Sequence, residues 1–195
     1  MRHTRRVVLA VVAVLPLALA GCGSGDPPSA AGPSTAPAGP SAATPPQPPP
    51  TTPGPDEEPR QQALDVYVLM QRAYQRAAET ADPDHPDLAR YAAGDALRRL
   101  RDGLTSIRDQ GLRGSGEATY QPVVESVNPI DAPTTITVRD CMDTSATELY
   151  DPSGAPYQDE PGGLRLVVAT VEVVDGTWKV TSFGVHEVGT CVRAG

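Results

Sequence analysis

From Gly23 to about Arg60 the chain has no aromatic residue and no aliphatic side chain larger than Ala, being built almost wholly of Pro, Ala, Ser, Thr and Gly. A stretch of this kind buries too little apolar surface to offset the entropy lost on ordering, so it is expected to stay disordered. Folding is thereby confined to residues 61–195, which is about the modal size of one domain. As a spacer, about 38 residues would reach on the order of 120 Å in polyproline II form and average nearer 35 Å as a flexible coil. The prolines from Pro45 to Pro55 also match a polyproline recognition ligand, but spacer use is the commoner duty of such composition.

What precedes the tether sets its address. Arg2, Arg5 and Arg6 are followed by an apolar run from Val7 to Ala20 broken only by Pro16. This is the layout of a secretory signal peptide, and the run is shorter than the roughly 20 residues a spanning helix needs. Leu19-Ala20-Gly21-Cys22 resembles the lipobox of bacterial lipoproteins, in which the Cys receives a diacylglyceryl group and cleavage falls just before it. The alternative is ordinary cleavage near Ala20, which would leave Cys22 as an exposed free thiol in an oxidising compartment. The expected organisation is a lipoprotein signal peptide over 1–21, a lipidated Cys22 with a Pro-rich tether over 22–60, and one domain over 61–195. The resemblance implies a lipid anchor on the extracytoplasmic face of the cell membrane.

Charge narrows the choice of partners. Acidic residues outnumber basic ones 24 to 16, for a net charge of −8, and the only Lys is Lys179. An acidic surface without a basic stripe argues against nucleic acid and against adhesion to anionic lipid by charge alone. The two cysteines of the domain, Cys141 and Cys191, read as a disulfide in an exported protein, and closing that loop stabilises by up to roughly 4 kcal/mol in the chain-entropy model. Cys141 as a nucleophile with His186 as its base would need a free thiol where thiols are oxidised.

Within the domain, Val66, Tyr67, Met70, Ala73, Tyr74 and Ala77 recur at helical spacing, with Arg72, Gln75, Arg76 and Glu79 between them. The two prolines of Asp82-Pro83-Asp84-His85-Pro86-Asp87 end this helix. A second helical stretch carries Leu88 and Tyr91 and continues past Gly94 to Leu97, Leu100, Leu104 and Ile107. Gly111 fits a left-handed cap, and Gly114-Ser115-Gly116 is expected to form a mobile turn. The period then changes from near four to two. Strands are expected over Tyr120 to Val127, Thr134 to Cys141 and Leu164 to Val174, the last joined through Asp175-Gly176 to a strand starting at Thr177. Asp151 to Gly163 is expected to be a polar loop. Helices followed by strands predict α+β, with two or three N-terminal helices on a strongly bent antiparallel sheet of about four strands.

This order, together with Asp140-Cys141-x-Asp143, the turn from Asp175 to Val180 and the late Cys191, resembles the nuclear transport factor 2-like superfamily as found in secreted bacterial lipoproteins. The resemblance implies a cone with a pocket, and members that range from isomerases, cyclases and dehydratases to pure binding modules. Fold alone does not choose among them.

The candidate site residues carry two readings each. If Ile136 and Val138 face the core, strand alternation puts Asp140 on their side and Cys141 on the other. The resemblance to the isomerase branch implies that Asp140 could serve as a general base with a raised pKa. Alternatively, it bonds an Arg or a loop amide. His186, beside Glu187, is an acid or base candidate or an idle, partly exposed strand histidine. Asp82, Asp84, His85 and Asp87 match no calcium or zinc spacing and suit turn and cap duty. Trp178 and Tyr67 line a cavity or fill the core. Gly111-x-x-Gly114-x-Gly116 follows a helix where a dinucleotide site would precede one. No cofactor and no metal are expected. The reading is a binding or protein-interaction module whose partner is a protein or a small apolar ligand, with an isomerase- or cyclase-type enzyme using Asp140 as the alternative. Homodimerisation through the open sheet face is not decided by the sequence.

Overall fold

A computed structural model describes residues 57–193. The signal peptide, Cys22 and nearly all of the tether lie outside the described residues. Helix α1 runs over Glu57–Thr80, so helical structure starts just inside the stretch expected as tether. Glu57 and Glu58 in its first turn suit the positive end of the helix dipole. Its buried residues, Ala63, Tyr67, Met70, Ala73 and Ala77, follow the helical period. Ala81 ends it in a left-handed conformation, φ 50°, and the Asp82 amide closes back on the Ala77 carbonyl at 2.9 Å.

Helix α2 (Pro86–Tyr91) begins with Pro at its first position, where the missing amide costs nothing. His85 accepts the Asp87 amide on Nδ1 at 3.3 Å, so the histidine of the acidic cluster is a helix cap. Asp87 pairs with Arg76 at 2.8 Å, and Asp82 accepts the Asp84 amide at 3.0 Å. Helix α3 (Gly94–Asp109) buries Ala96, Leu100, Leu104 and Ile107 and stops at Gly111, φ 74°, as expected of a left-handed cap.

The main sheet has the order β2-β3-β5-β6 and is antiparallel throughout, from β2 (Val123–Asn128), β3 (Thr135–Asp143), β5 (Leu164–Val174) and β6 (Thr177–Val188). Positive φ at both Asp175 (51°) and Gly176 (74°) gives the two-residue link a hairpin conformation suited to strand twist. Register shifts at Val124/Ser126 in the β2–β3 ladder, and at Arg165/Val167 and Thr170/Val171 in the β5–β6 ladder, are bulges that bend the sheet. The fold is α+β, with the three helices on that sheet. Tyr67, Met70, Leu88, Leu104, Ile136, Val138, Val171 and Val180 are fully buried between the layers.

Two expectations are corrected. Gly114-Ser115-Gly116 is no mobile turn: with Arg113 it forms strand β1 (Arg113–Gly116), paired antiparallel with β4 (Thr147–Tyr150). A Cβ on Gly114 would lie 2.9 Å from the Ala78 Cβ, so glycine there lets the ribbon lie close on α1. At Gly116, φ 79°, a Cβ would collide with the Ala146 carbonyl. The strand expected from Tyr120 starts instead at Val123, leaving Tyr120 in a connecting segment.

Cys141 and Cys191 are disulfide-bonded, with Cα atoms 5.8 Å apart. Beside them Arg193 donates to the Thr119 hydroxyl at 2.7 Å and to the Thr119 carbonyl at 3.0 Å, and lies 3.8 Å from Asp143. The final described residues are thus clasped to the segment before β2. Among the described residues no helix is long and apolar enough to cross a membrane.

Candidate functional site

A cleft of about 600 Å³ lies at the end of the sheet where β3 finishes and β5 begins, under the β1–β4 ribbon. Its apolar wall comes from Leu100 and Ile107 of α3, Met142 of β3, Leu149 of β4, and Phe183 and Val185 of β6. Helix α1 adds Gln71, Tyr74, Gln75 and Ala78. Small residues leave part of this space unfilled: Ala78 and Ala118 lie along the wall, with Gly114, where the ribbon closes on α1. Gly103 makes room of another kind, since a Cβ there would sit 2.9 Å from the Tyr74 hydroxyl.

Polar groups converge on this apolar surface. The Tyr120 hydroxyl donates to Gln75 Oε1 at 2.8 Å. Burial pushes the Tyr120 pKa up to about 12, partly opposed by Arg72, so this hydroxyl keeps its proton. Gln75 Nε2 has no acceptor, and neither has Arg165 Nε; these are the only buried side-chain N or O atoms without a partner among the described residues, and both residues line the cleft. An unmet buried donor costs free energy, and a ligand oxygen would relieve it. At the rim Asp102, Glu148, Asp159 and Glu160 outnumber Arg99 and Arg165. Three of these carboxylates are engaged locally: Asp159 accepts the Leu149 amide at 2.6 Å, Glu148 accepts the Ser115 hydroxyl at 3.2 Å, and Asp102 pairs with Arg98 at 3.6 Å.

Asp140 faces inward with Ile136 and Val138, as alternation required, and is 1 % exposed. It is not on the cleft wall, where the cone-pocket reading had put it. Its Oδ1 accepts the Gln121 amide at 2.7 Å and its Oδ2 the Tyr67 hydroxyl at 3.0 Å. Tyr67 accepts in turn from Gln71 Nε2 at 3.2 Å, and Gln71 reaches the cleft. Burial raises the Asp140 pKa, while the Gln121 amide, the Tyr67 hydroxyl and Arg193 pull it back. Burial likewise pushes the Tyr67 hydroxyl well above its usual range, with the Asp140 charge acting in the same sense.

His186 is exposed on β6 and lines a shallow recess that shares Glu160, Arg165 and Val185 with the cleft, but it does not itself line the cleft. Asp140 and His186 are therefore not brought together by a shared cavity. Tyr67 is wholly core, Trp178 is half-buried against the core, and neither lines the cleft. No group of three or more metal-ligating side chains occurs among the described residues. Gln71, Gln75, Tyr120 and Arg165 were not singled out from sequence. The available signal was two amides four apart on α1, flanking Tyr74 and bordering the apolar stripe.

No protein-family model matches the sequence, and no curated protein is significantly similar to it. Among solved structures, the chain is similar to the intermembrane space region of the chloroplast protein ARC6 at 18% identity, covering 65% of this chain and 95% of that one with a TM-score of 0.49. It is also similar to an NTF-2 like protein of unknown function from Shewanella oneidensis MR-1 (12% identity, 63% and 97% coverage, TM-score 0.38). A third likeness is to an ntf2-like protein with a cystatin-like fold from Novosphingobium aromaticivorans (12% identity, 69% and 90% coverage, TM-score 0.40).

Proposed function

We propose that this chain is a lipid-anchored binding protein of the cell envelope, held by Cys22 and its Pro-rich tether, whose domain takes up a small, largely apolar ligand in the cleft. The observation that carries the binding role is the cleft itself, about 600 Å³ with two buried donors left unpaired on its wall. Ligand pockets typically occupy about 300–1,000 Å³ and combine an apolar lining with a few convergent polar groups. The anchor rests on the sequence from Arg2 to Cys22, since two acyl chains hold a protein on a bilayer where one does so only marginally. General-base catalysis by Asp140 finds no support in the geometry. Both of its oxygens already accept hydrogen bonds, and a base must come within about 2.6–3.2 Å of the proton it removes.

Two experiments test the two halves of this reading. Cys22→Ser should move the protein from the membrane to the soluble fraction; unchanged membrane association would sink the anchor. For the cleft, the soluble full-length Cys22→Ser chain should bind the uncharged dye Nile red with a fluorescence rise. Adding Ala118→Trp, which plugs the wall, should weaken that binding at least about tenfold. Dye binding indifferent to the plug, in a variant that still unfolds cooperatively, would remove the cleft as the binding site.

A further inference from the structure

The hydrogen bonds behind the cleft wall have a direction, and that direction selects a ligand. A carboxylate only accepts. Asp140 takes the Gln121 amide on one oxygen and the Tyr67 hydroxyl on the other, at 2.7 and 3.0 Å. The proton of Tyr67 is thereby committed, so its oxygen can only accept the next bond, which comes from Gln71 Nε2 at 3.2 Å. This fixes the Gln71 amide with Nε2 turned inward and Oε1 turned away from Tyr67. Gln71 is 7 % exposed and lines the cleft, and no described side chain donates to its Oε1.

One turn further along α1 the polarity is opposite. Tyr120 donates to Gln75 Oε1, so Gln75 is left with Nε2 as a buried, unpartnered donor. Residues at i and i+4 are neighbours on a helix face, about 5–6 Å apart at Cβ. The wall therefore offers one acceptor and one donor side by side, set among Tyr74, Ala78, Leu100 and Phe183.

We propose that the cleft selects an uncharged, mostly apolar ligand bearing a carboxamide, whose oxygen accepts from Gln75 and whose N–H donates to Gln71, and that Asp140 sets this selectivity as a positioning residue. The proposal rests on the cleft being a binding site. A ketone satisfies Gln75 but leaves the Gln71 oxygen unpaired. A carboxylate could answer the unpaired Arg165 Nε, but it sets lone pairs against the Gln71 oxygen among four acidic and two basic side chains. An ammonium meets the Gln75 donor. Of these four groups only the amide answers both at once.

The test uses three naphthalene probes that differ only in their polar group: 2-naphthamide, 2-acetylnaphthalene and 2-naphthoate, titrated into the full-length Cys22→Ser chain. 2-Naphthamide is expected to bind about tenfold more tightly than either of the others, the scale of one net buried hydrogen bond. In Asp140→Asn the new amide nitrogen donates to the Tyr67 oxygen. Tyr67 then donates to Gln71 Oε1, and Gln71 turns Nε2 to the cleft. The preference for amide over ketone should then fall to within about twofold, while overall binding of the ketone is kept or improved. That change of ranking is a readout which loss of stability alone would not produce. Equal binding of amide and ketone by the Cys22→Ser chain overturns the ligand class, and so does failure of all three naphthyl probes while Nile red still binds in a plug-sensitive way. A ranking unchanged by Asp140→Asn overturns the role of Asp140. Loss of plug-sensitive Nile red binding would instead be a failure of the binding reading itself.

Discussion

The two ends of the main sheet are made by the same strands and covered by the same helices, yet one is filled and the other is open. Along β3 the inward residues run Ile136, Val138, Asp140, Met142; the first two are fully buried against helices, and the last lines the cleft. Strand β5 goes from buried Val171, Ala169 and Val167 to Arg165, and β6 from buried Val180 to Phe183 and Val185. Asp140 stands at the boundary. The filled end is closed by large groups such as Tyr67, Met70 and Leu88, whereas the open end is faced by Ala78, Gly114 and Ala118. Openness here is a matter of side-chain size on the covering layer, with no change of architecture.

The contrast can be broken most easily by truncation. Leu104→Ala, in the filled region, should cost about 2–5 kcal/mol, because a fully buried leucine leaves a cavity its neighbours cannot close. Val185→Ala, on the cleft wall and 43% exposed, should stay within about 0.5 kcal/mol. Comparable losses for the two in urea unfolding would mean that the cleft is packed in solution.

The boundary is sharpened by Tyr67→Phe, which removes the hydroxyl bonded to Asp140 and should cost about 1–3 kcal/mol near neutral pH. The sign of its pH dependence follows from the raised pKa of Asp140 in the folded state. A carboxyl of that kind contributes its stability fully below the unfolded pKa and loses it as pH rises through the folded one. Taking away a group that favours the charged form raises the folded pKa further. The cost of Tyr67→Phe should therefore be smallest in acid and grow towards neutrality, and a cost that is flat in pH would uncouple Asp140 from Tyr67.

The smallest effect belongs to the surface. Arg76 and Asp87 form a pair at 2.8 Å with side chains 45% and 30% exposed. Arg76→Ala should cost less than about 1 kcal/mol, shrinking further in high salt.

Much of this was readable from residue order. The apolar period of α1, the stripe from Leu100 to Ile107 and the Asp175-Gly176 link are local signals, and local geometry decides them. The inward face of Asp140 followed from alternation, and the pairing of Cys141 with Cys191 from their number. The β1–β4 ribbon was not readable, because Arg-Gly-Ser-Gly and Thr-Glu-Leu-Tyr have no strand period of their own and gain their order from each other and from Ala78. The cleft was hidden for a related reason. Gln75 reads as a solvent-facing residue of α1, and its inward role depends on Tyr120, which is 45 positions away.

The three bulges in the main sheet have a consequence for how such a chain could diversify. The bulges shape the ladder on one side of the hollow, and the small residues Ala78 and Ala118 on the covering side leave it unfilled. Exchanging the half-buried Phe183 or Leu149 changes what the hollow prefers while the mould persists, so new specificities are within reach of single substitutions.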